Sequence, residues 1–153
     1  MEGKGRITGH TGLLALIGSP VGHSGSPAMY NYSFEKLGLD YAYVAFDIKV
    51  EEVKAALDAM RLFHMRGCNV TMPCKTEAAK YMDELSPAAR IIGAVNTIVN
   101  EDGKLIGHMT DGEGFVGNLR DHGIEIKGKK ITVAGGGGAA TAIQVQLSLI
   151  HIS

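Results

Sequence analysis

Short apolar runs closed by glycine and followed by serine–proline pairs constrain this chain more than any other feature. Leu13-Leu14-Ala15-Leu16-Ile17-Gly18 is such a run, and it reads as a buried strand. Ser26-Pro27 comes next. A serine oxygen can cap free backbone amides, and proline suits the first helical position. Tyr30, Phe34 and Leu37 then recur on one helix face, and Gly38 stops the helix. Tyr41 to Ile48 is rich in aromatic and β-branched residues and reads as a second strand. Val53, Leu57 and Met60 give a second amphipathic helix, ending near Gly67. Cys68 to Met72 is a third strand, and Pro73 opens a helix carrying Lys75. Ser86-Pro87 repeats the helix start. Val95–Val99 and Lys104–His108 flank Asn100-Glu101-Asp102-Gly103, a hairpin with Asp-Gly turn chemistry. Phe115, Val116 and Leu119 mark a further helix. Asp121 to Lys130 is polar and carries Gly123 and Gly128, and Ile131-Thr132-Val133-Ala134 reads as a strand entering a glycine loop. The alternation predicts an α/β fold, its sheet mainly parallel with flanking helices.

Composition limits the function classes. The 153 residues favour one domain with a real core, and 45% hydrophobic with 20% charged residues is ordinary for a soluble globular protein. Fifteen basic residues against 16 acidic ones leave no field to capture nucleic acid or an acidic membrane surface. Met1-Glu2-Gly3-Lys4 lacks the apolar run of a signal peptide, and no stretch is long enough to span a bilayer. Cys68 and Cys74 are too few for a disulfide framework and form no CxxC or Cys/His ligand cluster. A reducing cytoplasm and no metal are expected. Met60, Met65 and Met72 read as core filling.

Three features carry chemistry. Gly135-Gly136-Gly137-Gly138-Ala139, continuing to Ala140, fits the relaxed dinucleotide fingerprint, in which glycines let the backbone approach a pyrophosphate at a helix N-terminus. A lone fingerprint of this kind is weak, but a strand before it and helix formers after it are the right context. Asn69-Val70-Thr71-Met72-Pro73-Cys74-Lys75 places a lysine after a strand end, and Thr110-Asp111-Gly112 places an aspartate in a second loop. Taken singly, Lys75 reads as a solvated lysine, Asp111 as a helix N-cap, Ser24 as a loop serine and Ser26 as an N-cap. Cys74 reads as a packed small residue, the alternative being an accessible thiol at the mouth of a site. His23 reads as structural. All of the loops follow strand-like segments, where open α/β sheets collect their sites.

These residues carry a resemblance. His23-Ser24-Gly25-Ser26-Pro27, Asn69 to Lys75, Gly93-Ala94-Val95-Asn96-Thr97 and Thr110-Asp111-Gly112 occur in the order seen in shikimate dehydrogenases. The chain is similar to the quinate/shikimate dehydrogenase branch over roughly residues 10–146. The resemblance implies that Ser24 and Ser26 bind a substrate carboxylate, that Thr71, Asn96 and Asp111 bind ring hydroxyls, and that Lys75 and Asp111 bracket the reacting hydroxyl. Lys75 would move the proton and Asp111 would orient it. It further implies NADP or NAD as cofactor, held by Gly135, Gly136, Gly137, Gly138 and Ala139. The substrate would be shikimate, 3-dehydroshikimate or quinate, and the full-length enzyme a cytoplasmic monomer or homodimer. A rival from another class is a non-catalytic module that binds a shikimate-like small molecule. A folate-type dehydrogenase shares the two-domain plan but not the Ser24/Ser26 pair or the Thr71-x-Pro73-x-Lys75 spacing.

The expected organisation is a substrate-binding and catalytic domain over 1–120, a linker over 121–129, and the start of a Rossmann domain over 130–146. Beyond Gln146 the resemblance stops, and Leu147-Ser148-Leu149-Ile150-His151-Ile152-Ser153 looks like a translated sequencing adapter. The expectation is therefore a truncated chain with a non-native tail over 147–153, inactive by itself.

Overall fold

The computed structural model describes residues 7–152. β1 (Gly12–Gly18) lies within the sheet because its apolar residues serve both faces. Leu14 and Leu16 pack with Phe34 and Tyr43, whereas Ala15 and Ile17 pack with Val53, Leu57 and Met60. The first group includes α1 (Ser26–Leu37) and β2 (Tyr41–Asp47), and the second includes α2 (Val53–Leu62). The chain continues through β3 (Gly67–Val70), α3 (Lys75–Ala79), β4 (Glu84–Leu85), α4 (Pro87–Ile92), β5 (Thr97–Glu101), β6 (Lys104–His108), α5 (Asp111–Asp121) and α6 (Gly138–Ile152). A short 3-10 turn, Val50–Glu52, leads into α2.

The six strands order as β2-β1-β3-β5-β6-β4. β1 pairs in parallel with β2 and β3, and β4 in parallel with β6. β5 runs antiparallel to both β3 and β6, so the sheet is mixed, with three of its five pairings parallel as the alternation predicts. The cause is local. Asp102 (φ 51) and Gly103 (φ 96) form a two-residue turn with both residues left-handed, which folds β5 and β6 into a hairpin. The reversal has a consequence for the site. The C-terminal ends of β1, β3 and β6 and the N-terminal end of β5 fall at one edge of the sheet.

Other expectations are corrected. Ile131–Ala134 is not a strand, because none of the six strands pairs with it and a strand exists only through its ladder. Residues 122–137 carry no helix or strand, and the glycine loop leads directly into α6. Ser26 does not cap α1: Gly25 holds that position, and the serine oxygen that accepts a backbone amide is Ser24 Oγ, from Ser26 N–H at 3.2 Å. Asp111 does not cap α5 either, since Thr110 precedes it at the N-cap. Met60 and Met65 are buried, but Met72 is 74% exposed, carried out of the core by the turn that follows β3. Separately, residues 147–152, whose expected foreign origin a helix does not test, continue α6, and Leu147 is buried with Val116 and Ile126. Residues 1–6 and 153, which fall within the expected domain limits, lie outside the described residues.

Candidate functional site

The common sheet edge holds a polar cleft of about 420 Å³, lined by Ser26, Tyr30, Asn69, Thr71, Lys75, Asn96, Thr97, Thr110 and Asp111 among others. Each side chain is brought there by a defined piece of backbone. Thr71 leaves β3, and its amide donates to the Ile17 carbonyl at 2.9 Å, holding the β3 exit against the end of β1. Gly18 permits this approach. Its φ is +150, and a Cβ there would collide with Thr71 Cγ2 and lie 2.9 Å from the Met72 carbonyl oxygen. Lys75 opens α3, and its carbonyl accepts from Val95 N–H at 3.0 Å, which ties α3 to the segment entering β5. Asn96 N–H donates to the His108 carbonyl at 2.9 Å, placing the start of β5 beside the end of β6.

At the centre Lys75 Nζ meets Asp111 Oδ2 at 2.7 Å across 36 residues of sequence. Asn96 Nδ2 donates to the other carboxylate oxygen, Oδ1, at 2.6 Å. Asn96 Oδ1 accepts from the Thr110 backbone amide at 2.9 Å, which fixes the amide group and presents its donor face to Asp111. The Asp111 carboxylate is thus held by a cation and an amide, and the Lys75 side chain is 27% exposed against 38% for Asp111. Such an arrangement can hold a hydroxyl-bearing molecule and exchange a proton with it, because a lysine amine beside a fixed carboxylate lies within reach of the cleft.

The predicted residues Ser26, Thr71, Lys75, Asn96 and Asp111 are brought together in this cleft. Ser24 is not among its lining residues and instead supports the start of α1 through the Ser26 amide. Gly135, Gly136, Gly137, Gly138 and Ala139 are not among them either, and they form the loop that enters α6. Cys74 is 0% exposed, with Sγ 3.7 Å from the Ile48 carbonyl oxygen, so the packed reading holds and the accessible-thiol reading does not. His23 is exposed and does not line the cleft. Asn69, Thr97 and Thr110 also line it; each falls within a quoted motif, yet no role was assigned to it from sequence. A signal for Asn69 was present, since residues two apart on a strand share a face and Asn69 stands two before Thr71. Among the described residues no cluster of His, Cys, Asp or Glu is placed to hold a metal ion, and no helix is long and apolar enough to cross a membrane.

Fold and cleft together define an α/β domain with a polar cleft at one sheet edge. Residues 16–98 match the family described as the shikimate dehydrogenase substrate binding domain, and the chain belongs to that family. It is 54% identical over 144 residues to the shikimate dehydrogenase (NADP(+)) of Listeria monocytogenes serotype 4b (strain F2365), covering 94% of this chain and 50% of the relative. The crystal structure of shikimate 5-dehydrogenase from Listeria monocytogenes in complex with shikimate and NAD matches with a TM-score of 0.92 at 54% identity, over 94% of this chain and 50% of that one. The ligand-free 5-ketofructose reductase of Gluconobacter sp. strain CHM43 matches with a TM-score of 0.89 at 33% identity, over 94% and 51% respectively. The chain therefore spans about half the length of the curated relatives it matches.

Proposed function

We propose that this chain is the substrate-binding and proton-transferring half of a shikimate dehydrogenase, an oxidoreductase that interconverts shikimate and 3-dehydroshikimate with NADP or NAD. The observation that carries the reading is the Lys75–Asp111 pair at 2.7 Å inside a cleft that also contains Ser26, Thr71 and Asn96. The Ser26 end of the cleft suits a carboxylate, because α1 begins at Ser26 and the free amides of a helix start favour an anion. Thr71, Asn96 and Asp111 suit ring hydroxyls. Lys75 exchanges the proton of the reacting hydroxyl: in its amine form it takes the proton as the alcohol is oxidised, in its ammonium form it returns one as the ketone is reduced, and Asp111 holds the ammonium.

Gly135–Ala139 would hold the dinucleotide. A Cβ at Gly136, Gly137 or Gly138 would meet no atom within 4 Å, so the backbone amides that open α6 are approachable by a pyrophosphate. When bound, the nicotinamide supplies the hydride chemistry. The chain's own residues bind and orient the acid and move its proton.

Calorimetric titration of the purified chain with shikimate tests the reading. Saturable binding is expected, roughly tenfold weaker in Asp111→Asn, which removes one charge-assisted hydrogen bond at a partly exposed site. Benzoate, which has the carboxylate but no ring hydroxyls, should compete poorly. Benzoate binding as tightly as shikimate, with Asp111→Asn silent, would overturn it.

A further inference from the structure

Tyr43 is a buried polar group beside the cleft that the proposed chemistry leaves without a task. It is 3% exposed, its ring stacks on Tyr30 at 4.5 Å, and its hydroxyl donates to Asn69 Oδ1 at 2.8 Å. With its oxygen engaged, the Asn69 amide turns Nδ2 toward β5 and donates to Thr97 Oγ1 at 3.2 Å. Burial, then the neighbouring Tyr30 and Cys68, push the Tyr43 phenol well above its ordinary range, so it remains a donor and the direction of the chain does not reverse. The strand beneath is held too. Asn31 of α1 accepts from Tyr43 N–H at 3.0 Å and donates to the Tyr43 carbonyl at 2.7 Å, taking the place of a neighbouring strand at the outer edge of β2.

We propose that Tyr43 and Asn69 form a relay that aims the Thr97 hydroxyl into the cleft as a hydrogen-bond donor to an acceptor oxygen of the bound acid. A hydroxyl has one hydrogen to give, and accepting from Asn69 leaves that hydrogen for a partner on the cleft side, which Thr97 lines. Thr97 is then a ligand contact, and Tyr43 is a positioning residue acting through Asn69. The ligand half of this inference rests on the shikimate reading above.

The test is a double-mutant cycle on shikimate affinity, joined to an observation made without ligand. Thr97→Val and Tyr43→Phe should each weaken binding about fivefold, the worth of one ordinary hydrogen bond. The double variant should lose no more than either one, and Thr97→Ser should bind as the unaltered chain does. Side-chain amide exchange at Asn69, followed by NMR in the ligand-free chain, should be slow and become fast in Tyr43→Phe. Full additivity, unchanged affinity in Thr97→Val, or unchanged amide exchange in Tyr43→Phe would each overturn the relay. An unaltered chain that ignores shikimate while Asn69 shows the expected exchange would instead remove the functional reading and the donor's ligand, leaving only the internal hydrogen bonds.

Discussion

Lys75 and Asp111 are partly exposed, and an ion pair in that setting contributes only about 0–1 kcal/mol to stability. What makes the carboxylate a defined feature is Asn96, whose own amide is locked by the Thr110 backbone, so that the 2.6 Å bond to Asp111 Oδ1 has a fixed direction. None of that was legible from spacing, because residues 75, 96 and 111 meet through the sheet edge and only the resemblance anticipated their meeting. The two thiols show the opposite case, a residue whose plain reading was right. Cys68 is 5% exposed and burial pushes its thiol up to about 12, while Cys74 is fully covered and its thiol is raised by burial first and by Glu51 second. Thiolate is the reactive species, so neither residue should react with iodoacetamide at pH 8 in the folded chain, both should react in denaturant, and shikimate should leave the rate unchanged. Rapid native labelling slowed by shikimate would restore Cys74 to the mouth of the site.

Two helices begin with Ser-Pro, yet the serines do different work. Ser86 caps α4, accepting from Ala89 N–H at 3.3 Å, whereas Ser26 makes no cap hydrogen bond to α1 and lines the cleft instead. Ser86→Ala should therefore destabilise the chain by about 1 kcal/mol, and Ser26→Ala should move stability by only a few tenths of that. In shikimate titration the order should reverse, with Ser26→Ala losing affinity and Ser86→Ala keeping it. Equal melting shifts for the two would return Ser26 to a capping role. The dipeptide alone could not separate these cases, since both satisfy the same start rule and the difference lies in how the preceding loop arrives. Periodicity did reveal α1 and α2, where Phe34, Val53, Leu57 and Met60 are buried as their spacing demands, but Leu37, read on the same face as Phe34, is 71% exposed at the last turn of α1. Periodicity did not reveal β4, whose Glu84 and Leu85 are too few to show a period, or the antiparallel pairing of β5 with β3, which lies far from it in the sequence. Ile131–Ala134 has strand composition, but composition cannot supply the neighbour that a ladder requires.

At the scale of the molecule, α6, which starts at Gly138 in the glycine loop, packs on α5, which starts at Asp111. The approach is close at Gly112. A Cβ there would collide with the Ala142 carbonyl oxygen and come 2.7 Å from Gln146 Cβ, both on α6. Ala142 is 2% exposed and belongs to the main core cluster, so α6 has little room to retreat. Gly114, two residues on, has nothing within 4 Å of its would-be Cβ. The two glycines therefore separate packing from helix propensity. Gly114→Ala should stabilise the chain by about 1 kcal/mol, the ordinary gain on replacing glycine in an exposed helix interior. Gly112→Ala has the same propensity gain but must push backbone against backbone, and it should cost about 1–3 kcal/mol net. Thermal melts of the pair should move in opposite directions. Limited proteolysis should then cut Gly112→Ala faster between residues 122 and 137, where no helix or strand protects the chain. Melts that rise together, with cleavage unchanged, would mean that the close approach at Gly112 does not hold α6 on α5.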